Sequence, residues 1–195
     1  MTALCTPAVH RRCRIIAAAS LPVAPSVVGL GHIGRAVAVR AQAFGLRVLG
    51  WSYRPIEIPG GESVSLSQLF AESDIVSLHV PLKANTRHLI DDAALAQMKP
   101  GALLINTARG GLIDEAALVR ALQRGTISGA CLDVFAEEPL PAESPLRQLD
   151  NVILTPHTAG YSDGPKFHAK RSAFFTANIQ RWLKGDEPQG RLNNL

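Results

Sequence analysis

Gly29, Gly31 and Gly34 stand in the spacing G-x-G-x-x-G, and the chemistry such a spacing serves is the cradling of phosphate. The first glycine permits a tight turn, the second lets backbone approach a pyrophosphate, and the third lets a helix pack on the preceding strand. Free N–H groups and a partial positive charge at the amino end of that helix then face the anion. Alone the pattern is weak. Here it follows the apolar run Val27–Leu30 and opens a helical pattern, the context that a dinucleotide site requires. A glycine-rich turn in an ordinary α/β domain is the plainer alternative. His32 and Ile33 open the helix and are candidates for cofactor contact, with an exposed helix position as the other reading of His32. At the end of the second predicted strand an Asp or Glu usually holds the ribose hydroxyls, but this chain has Ser52-Tyr53-Arg54. No carboxylate stands there to repel a 2′-phosphate. Arg54 could pair with one, and Ser52 could donate to either group. The expected cofactor is NADP or NAD, with NADP preferred; a solvated loop arginine is the other reading of Arg54.

These residues need a sheet to hold them. Strands are expected at Val27–Leu30, Arg47–Trp51, Ile75–His79, Ala102–Asn106, Ile127–Val134 and Asn151–Leu154. Between them lie a helix over Ile33–Phe44 with Ile33, Val37 and Ala41 on one face, and a short helix announced by the capping pattern Ser65-Leu66-Ser67-Gln68. A helix over Asp91–Met98 is stopped by Pro100-Gly101, and another is capped by Asp114 and closed by Gly125. Ser162–Lys184 reads as mostly helical, ending at Gly185. The alternation predicts an α/β fold: a doubly wound, Rossmann-type parallel sheet with helices on both faces. Residues 1–25 read as an irregular leader, 26–185 as the dinucleotide-binding domain and 186–195 as a tail. Pro25 would forfeit a ladder hydrogen bond in what should be a central strand, so that strand is expected to begin only at Ser26.

Composition narrows the class. The chain has 195 residues, 47% hydrophobic and 18% charged, enough for one globular domain with a core. No apolar run reaches the length of a bilayer span. Seven arginines and no acid precede Glu57, although the net charge is only +4. Three of the seven lie in the leader and four within or just after the nucleotide-binding unit, so neither nucleic acid nor membrane is the expected partner. Cys5, Cys13 and Cys131 make no disulfide framework. Cys131 reads as a small buried hydrophobe. Cys5, His10 and Cys13 match no zinc spacing, and no metal is expected. The Arg-rich, acid-free leader resembles a transit peptide. The reading preferred is a disordered or mistranslated leader on a cytoplasmic protein.

Four further motifs carry a resemblance: SLHVPLKANTRHLI (Ser77–Ile90), MKPGALLINTARGGLIDEAAL (Met98–Leu118), GACLDVFAEEPL (Gly129–Leu140) and LTPHTAG (Leu154–Gly160). In order and spacing they resemble the D-isomer-specific 2-hydroxyacid dehydrogenases, which include glyoxylate/hydroxypyruvate reductases and phosphoglycerate dehydrogenase. The resemblance implies hydride transfer between NAD(P)H and a small 2-keto or 2-hydroxy acid. It makes Arg109 of N-x-x-R-G, Glu138 before Pro139 and His157 of the Pro-His pair the catalytic residues; Glu137 competes with Glu138 but does not adjoin the proline. It makes Asp133 the contact of the nicotinamide carboxamide, and it places Thr107, Ala108, His79, Val80, Pro81 and Gly160 along the cofactor. A planar guanidinium suits a carboxylate and a carbonyl. An imidazole suits proton supply, and a carboxylate beside it favours its charged form. Formate dehydrogenases of the same superfamily have glutamine in place of Glu138, so formate is disfavoured. The resemblance also implies a homodimer.

Family members carry a substrate domain ahead of the glycine strand, and nothing before Val27 resembles it. The chain therefore reads as a cofactor domain cut from a longer protein. Phe167, Phe174, Phe175 and Trp182 on the last helix would then form an exposed apolar patch. The alternative function is a non-catalytic NAD(P)-binding remnant or a cofactor-responsive interaction module, as in the family's corepressor-like members.

Overall fold

The computed structural model describes residues 24–54, 56–160 and 165–190. The readings of the leader, with Cys5, His10 and Cys13, lie outside the described residues, as does that of the Phe167 side chain. Two compact units are present, the first ending at His157 and the second starting at Thr158.

Among the described residues, the first unit is built on seven parallel strands. They are β1 (Pro25–Val28), β2 (Leu49–Trp51), β3 (Glu62–Ser63), β4 (Ile75–Leu78), β5 (Leu103–Asn106), β6 (Gly129–Leu132) and β7 (Val152–Leu154). Their spatial order is β3-β2-β1-β4-β5-β6-β7. This is the doubly wound order 3-2-1-4-5-6 with one strand added. The connecting helices are α1 (His32–Ala43), α2 (Leu66–Glu72), α3 (Asp92–Gln97) and α4 (Glu115–Arg124). Val27, Val28, Val76, Leu78, Leu104 and Leu132 are buried in the sheet, as a sheet covered on both faces demands.

Local chemistry explains the helix ends. Ser65, Asp91 and Asp114 each accept a bond from the backbone N–H three residues on, at 3.2, 2.8 and 3.1 Å. Each satisfies one of the donors left over at a helix start. Gly125 ends α4 at a φ of +69°, a conformation that favours glycine.

Three expectations need correction. β1 begins at Pro25, which pairs with Ile75, not at Ser26. Proline is tolerated as the first residue of a strand, and the chain before it is anchored by other donors: the Asp74 N–H bonds the Ala24 carbonyl at 3.0 Å, and the Ala24 N–H bonds the Asp74 carboxylate at 2.9 Å. Ile33 is 68% exposed rather than on the packed face of α1. The buried residues of that helix are Gly34 and Ala38, with Val37 and Ala41 half-buried beside them. Gly34 sets this rotation, because a Cβ there would lie 1.9 Å from the Gly29 carbonyl oxygen. Cys131 is half-buried rather than buried. The strand β3 had no sequence signal: both its residues are polar and exposed. Arg47 holds that edge, donating to Glu62 at 2.8 Å and to Glu72 at 3.1 Å.

The second unit contains α5 (Pro165–Leu183). Its last turn is tied to the segment that follows: the Gln189 N–H donates to the Asn178 side chain at 2.8 Å, and Arg181 donates to the Glu187 carbonyl at 2.7 Å. Gly185 turns the chain at a φ of +79°. Phe174, Phe175, Ile179 and Trp182 are exposed. Among the described residues no helix is long and apolar enough to cross a membrane.

Asp114→Ala should cost about 1 kcal/mol of stability by removing the α4 cap. A urea titration checks this; an unchanged midpoint would mean that the Ala117 N–H finds another partner.

Candidate active site

The glycine turn fits a dinucleotide on geometric grounds. Gly29 has a φ of +101°, and a Cβ there would lie 2.7 Å from the His79 carbonyl and from Val80. Its N–H bonds the Trp51 carbonyl at 2.8 Å, so the turn is braced against two neighbouring strand ends. Gly34 packs the helix onto Gly29. Gly31 differs from both: among the described residues, a Cβ there would meet no atom within 4 Å. No described residue fills the space in front of it, and no described side chain caps the helix behind it. Uncapped N–H groups facing open space are what a pyrophosphate needs. His32 and Ile33 lie exposed at this helix start.

Around the turn stand the flanking loops. Ser52 is half-buried and Arg54 exposed after β2. Tyr53 between them meets Trp51 edge-on at 4.7 Å and donates to the Asn85 carbonyl at 3.2 Å. His79 is half-buried, its Nε2 2.9 Å from the Ser77 hydroxyl. Burial lowers its pKa and favours neutral imidazole. Val80 is buried, and the exposed Pro81 offers its carbonyl to Thr86 at 2.8 Å.

β5, β6 and β7 end beside one another, and each delivers a loop to the same edge of the sheet. After β5, Thr107 and Arg109 are exposed and Ala108 is half-buried. The buried Asn106 side chain organises this loop, donating to the Arg109 carbonyl at 2.9 Å and accepting from the Ala108 N–H at 3.0 Å. The Arg109 guanidinium donates back to the Ala108 carbonyl at 2.6 Å. Gly110 then meets the loop after β6, where a Cβ would lie 1.9 Å from the Phe135 carbonyl. No other residue type fits so close an approach.

After β6, Asp133 is only 3% exposed. Glu138 takes the Phe135 N–H on Oε1 at 3.0 Å and His157 Nδ1 on Oε2 at 2.7 Å. The His157 hydrogen bond, then that of Phe135, holds the Glu138 carboxyl below the usual carboxylate range. After β7, Thr155 bonds the Asp133 carboxylate through its hydroxyl. The His157 N–H points at the Asp133 and Thr155 carbonyls, at 2.9 and 3.1 Å. His157 has a φ of +54°, uncommon for a residue with a side chain. A cavity of about 550 Å³ opens beside the Glu138–His157 pair, walled by Phe135, Leu140, Leu154 and Pro156.

The structure thus brings Glu138 and His157 into contact, and it is Glu138 rather than Glu137 that His157 meets. Arg109 follows β5 at the same edge, linked to that pair through Gly110 and Phe135 rather than by a bond of its own. Gly160 is exposed in the second unit. Asn106, Gly110 and Thr155 carry no role in the sequence reading. Asn106 and Gly110 lie within the same motif as Arg109, and a polar residue ending an apolar strand was the signal available for Asn106.

Known proteins resemble this chain in sequence and in fold. The family described as D-isomer specific 2-hydroxyacid dehydrogenase, NAD binding domain, matches residues 24–159. A glyoxylate reductase of Korarchaeum cryptofilum (strain OPF8) is 43% identical over 171 residues, which cover 86% of this chain and 51% of that protein. The chain spans about half the length of such curated relatives. A D-isomer specific 2-hydroxyacid dehydrogenase from Xanthobacter autotrophicus Py2, solved with NADPH and MES, superposes with a TM-score of 0.83 at 34% identity, over 95% of this chain and 80% of that one. A D-lactate dehydrogenase from Lactobacillus jensenii with NAD+ gives 0.80 at 31%, over 88% and 56%. With the family matched across the whole parallel sheet and the loops at its carboxyl edge, the chain belongs to the D-isomer specific 2-hydroxyacid dehydrogenases.

Proposed function

We propose that this chain supplies the cofactor half of an oxidoreductase that reduces a small 2-keto acid, of the glyoxylate or hydroxypyruvate class, to its 2-hydroxy acid. The observation that carries the reading is the 2.7 Å contact between His157 Nδ1 and Glu138, at the same sheet edge as the uncapped glycine turn. When bound, the reduced nicotinamide supplies the hydride that goes to the carbonyl carbon. His157 supplies the proton: with Nδ1 engaged by Glu138, Nε2 is the nitrogen that delivers it to the carbonyl oxygen. The carboxylate balances the charge of the imidazolium and fixes its orientation. Arg109, exposed and, among the described residues, bonded to its own loop, holds the substrate carboxylate and polarises the carbonyl. Asp133, buried beside them, accepts the nicotinamide carboxamide. Thr107, Ala108, His79, Val80 and Pro81 would line the cofactor, with His32 and Ile33 at its phosphates. A homodimer through the cofactor domain accords with this reading.

NADP is the preferred cofactor. The absence of a carboxylate in Ser52-Tyr53-Arg54 supports this, together with the exposed Arg54 at the ribose end of the turn.

Oxidation of NADPH or NADH by glyoxylate or hydroxypyruvate tests the activity. Arg109→Ala and His157→Ala should each lower turnover at least about a hundredfold. Stabilisation by cofactor, about 2.7 kcal/mol at a hundredfold excess over Kd, without any turnover would instead support the interaction module.

Arg54→Ala should weaken NADPH at least about tenfold more than NADH. Calorimetry showing equal losses would remove the NADP preference.

The Glu138–His157 pair is also pH-dependent. The Glu138 carboxyl titrates below its unfolded value, so its contribution is full above the ordinary carboxylate range and is lost as pH falls through the lowered value. Both side chains are more than a third exposed, at 36% and 52%, so the effect is under about 1 kcal/mol. The difference in urea midpoint between Glu138→Gln and wild type should therefore shrink as pH drops below about 4. A difference constant from neutral to acid pH would contradict it.

A further inference from the structure

We propose that Thr155 is a positioning residue that locks the cofactor-facing carboxylate of Asp133 and the imidazole of His157 into one geometry. The proposal rests on the cofactor reading given above. Thr155 makes three bonds in three directions. Its N–H donates to the Leu132 carbonyl at 3.0 Å, extending the β6–β7 pairing by one residue. Its hydroxyl donates to the Asp133 carboxylate. Its carbonyl accepts from the His157 N–H at 3.1 Å, a donor shared with the Asp133 carbonyl at 2.9 Å. One threonine therefore touches both the hydride side and the proton side of the reaction.

Two physical features make the hydroxyl matter. Asp133 is a buried carboxylate, and a buried carboxylate is costly unless donors satisfy it. The His157 backbone sits at a φ of +54°, a conformation that persists only where its surroundings hold it. What holds it is the pair of carbonyls from Asp133 and Thr155, and the hydroxyl bond keeps those two residues in register across the strand ends. Valine has nearly the shape of threonine and cannot donate. Thr155→Val therefore removes the lacing without opening a hole, and takes from the Asp133 carboxylate the donor that ties it to β7.

The test compares two probes, NADPH and ADP-ribose, binding to the full chain by calorimetry. ADP-ribose shares the pyrophosphate with NADPH but lacks the nicotinamide. Thr155→Val should weaken NADPH about tenfold or more, the effect of losing one hydrogen bond to a charged group, and leave ADP-ribose within about twofold. Thr155→Ser keeps the hydroxyl and should bind both probes within about threefold of wild type. If the valine variant does not fold, Thr155→Cys, of similar volume and a far weaker donor, is judged by the same criteria. Unchanged NADPH binding in the variant, or equal losses for both probes, overturns the role of Thr155 and leaves the cofactor reading standing. A wild-type chain that binds neither probe overturns both.

Discussion

Parallel pairing constrains everything else in this molecule. Each strand must return across the sheet before the next can pair, so every strand delivers its carboxyl end to the same edge. Residues as far apart in sequence as Gly29 and His157 therefore arrive on one edge without any direct interaction to bring them there. The motifs after β1, β4, β5, β6 and β7 are separate in the chain because a crossover lies between each of these strands and the next, helical everywhere but between β6 and β7. They are neighbours in space because the strands are. Loops at the carboxyl edge are consequently free to specialise, while the apolar runs behind them need only stay apolar.

At that edge the loops are fixed to one another by backbone as much as by side chains. Gly29 lies against His79 and Val80, Gly34 against Gly29, and Gly110 against Phe135. Each contact closes a distance that any Cβ would hold open. Polar groups then set the fine orientation: Asn106 for the Arg109 loop, Phe135 N–H for Glu138, and the carbonyls of Asp133 and Thr155 for His157. The carboxylate that meets the imidazole is thus aimed from its other oxygen by backbone, so the pair does not depend on two mobile side chains finding each other.

Much of this was legible in the residues. Val27, Ala102–Asn106 and the Asp114…Gly125 helix announce themselves by apolar runs and end residues, and their positions follow within a residue or two. The Glu138–His157 contact followed from motif order and from the proline beside Glu138. What was not legible has physical causes. β3 has no apolar residue, because it is an exposed edge held by Arg47 rather than by burial. The packed face of α1 excludes Ile33 against the apolar pattern, because glycine carries no hydrophobic signal, yet Gly34 makes the closest contact and sets the helix rotation. β1 begins at Pro25, one residue before the expected Ser26, because the sequence shows the missing N–H but not the anchoring of Ala24 by Asp74. Thr155 was silent, because a threonine before a proline looks like any loop residue until its hydroxyl has a partner.

The two-residue β3 also bears on how these molecules meet in concentrated solution. A sheet margin with a long run of unpaired amides and carbonyls invites another chain to add itself as a further strand. Here the margin is two polar residues long, with a guanidinium clamped across it to Glu62 and Glu72. It presents too little free ladder, and too much charge, to template growth from that side.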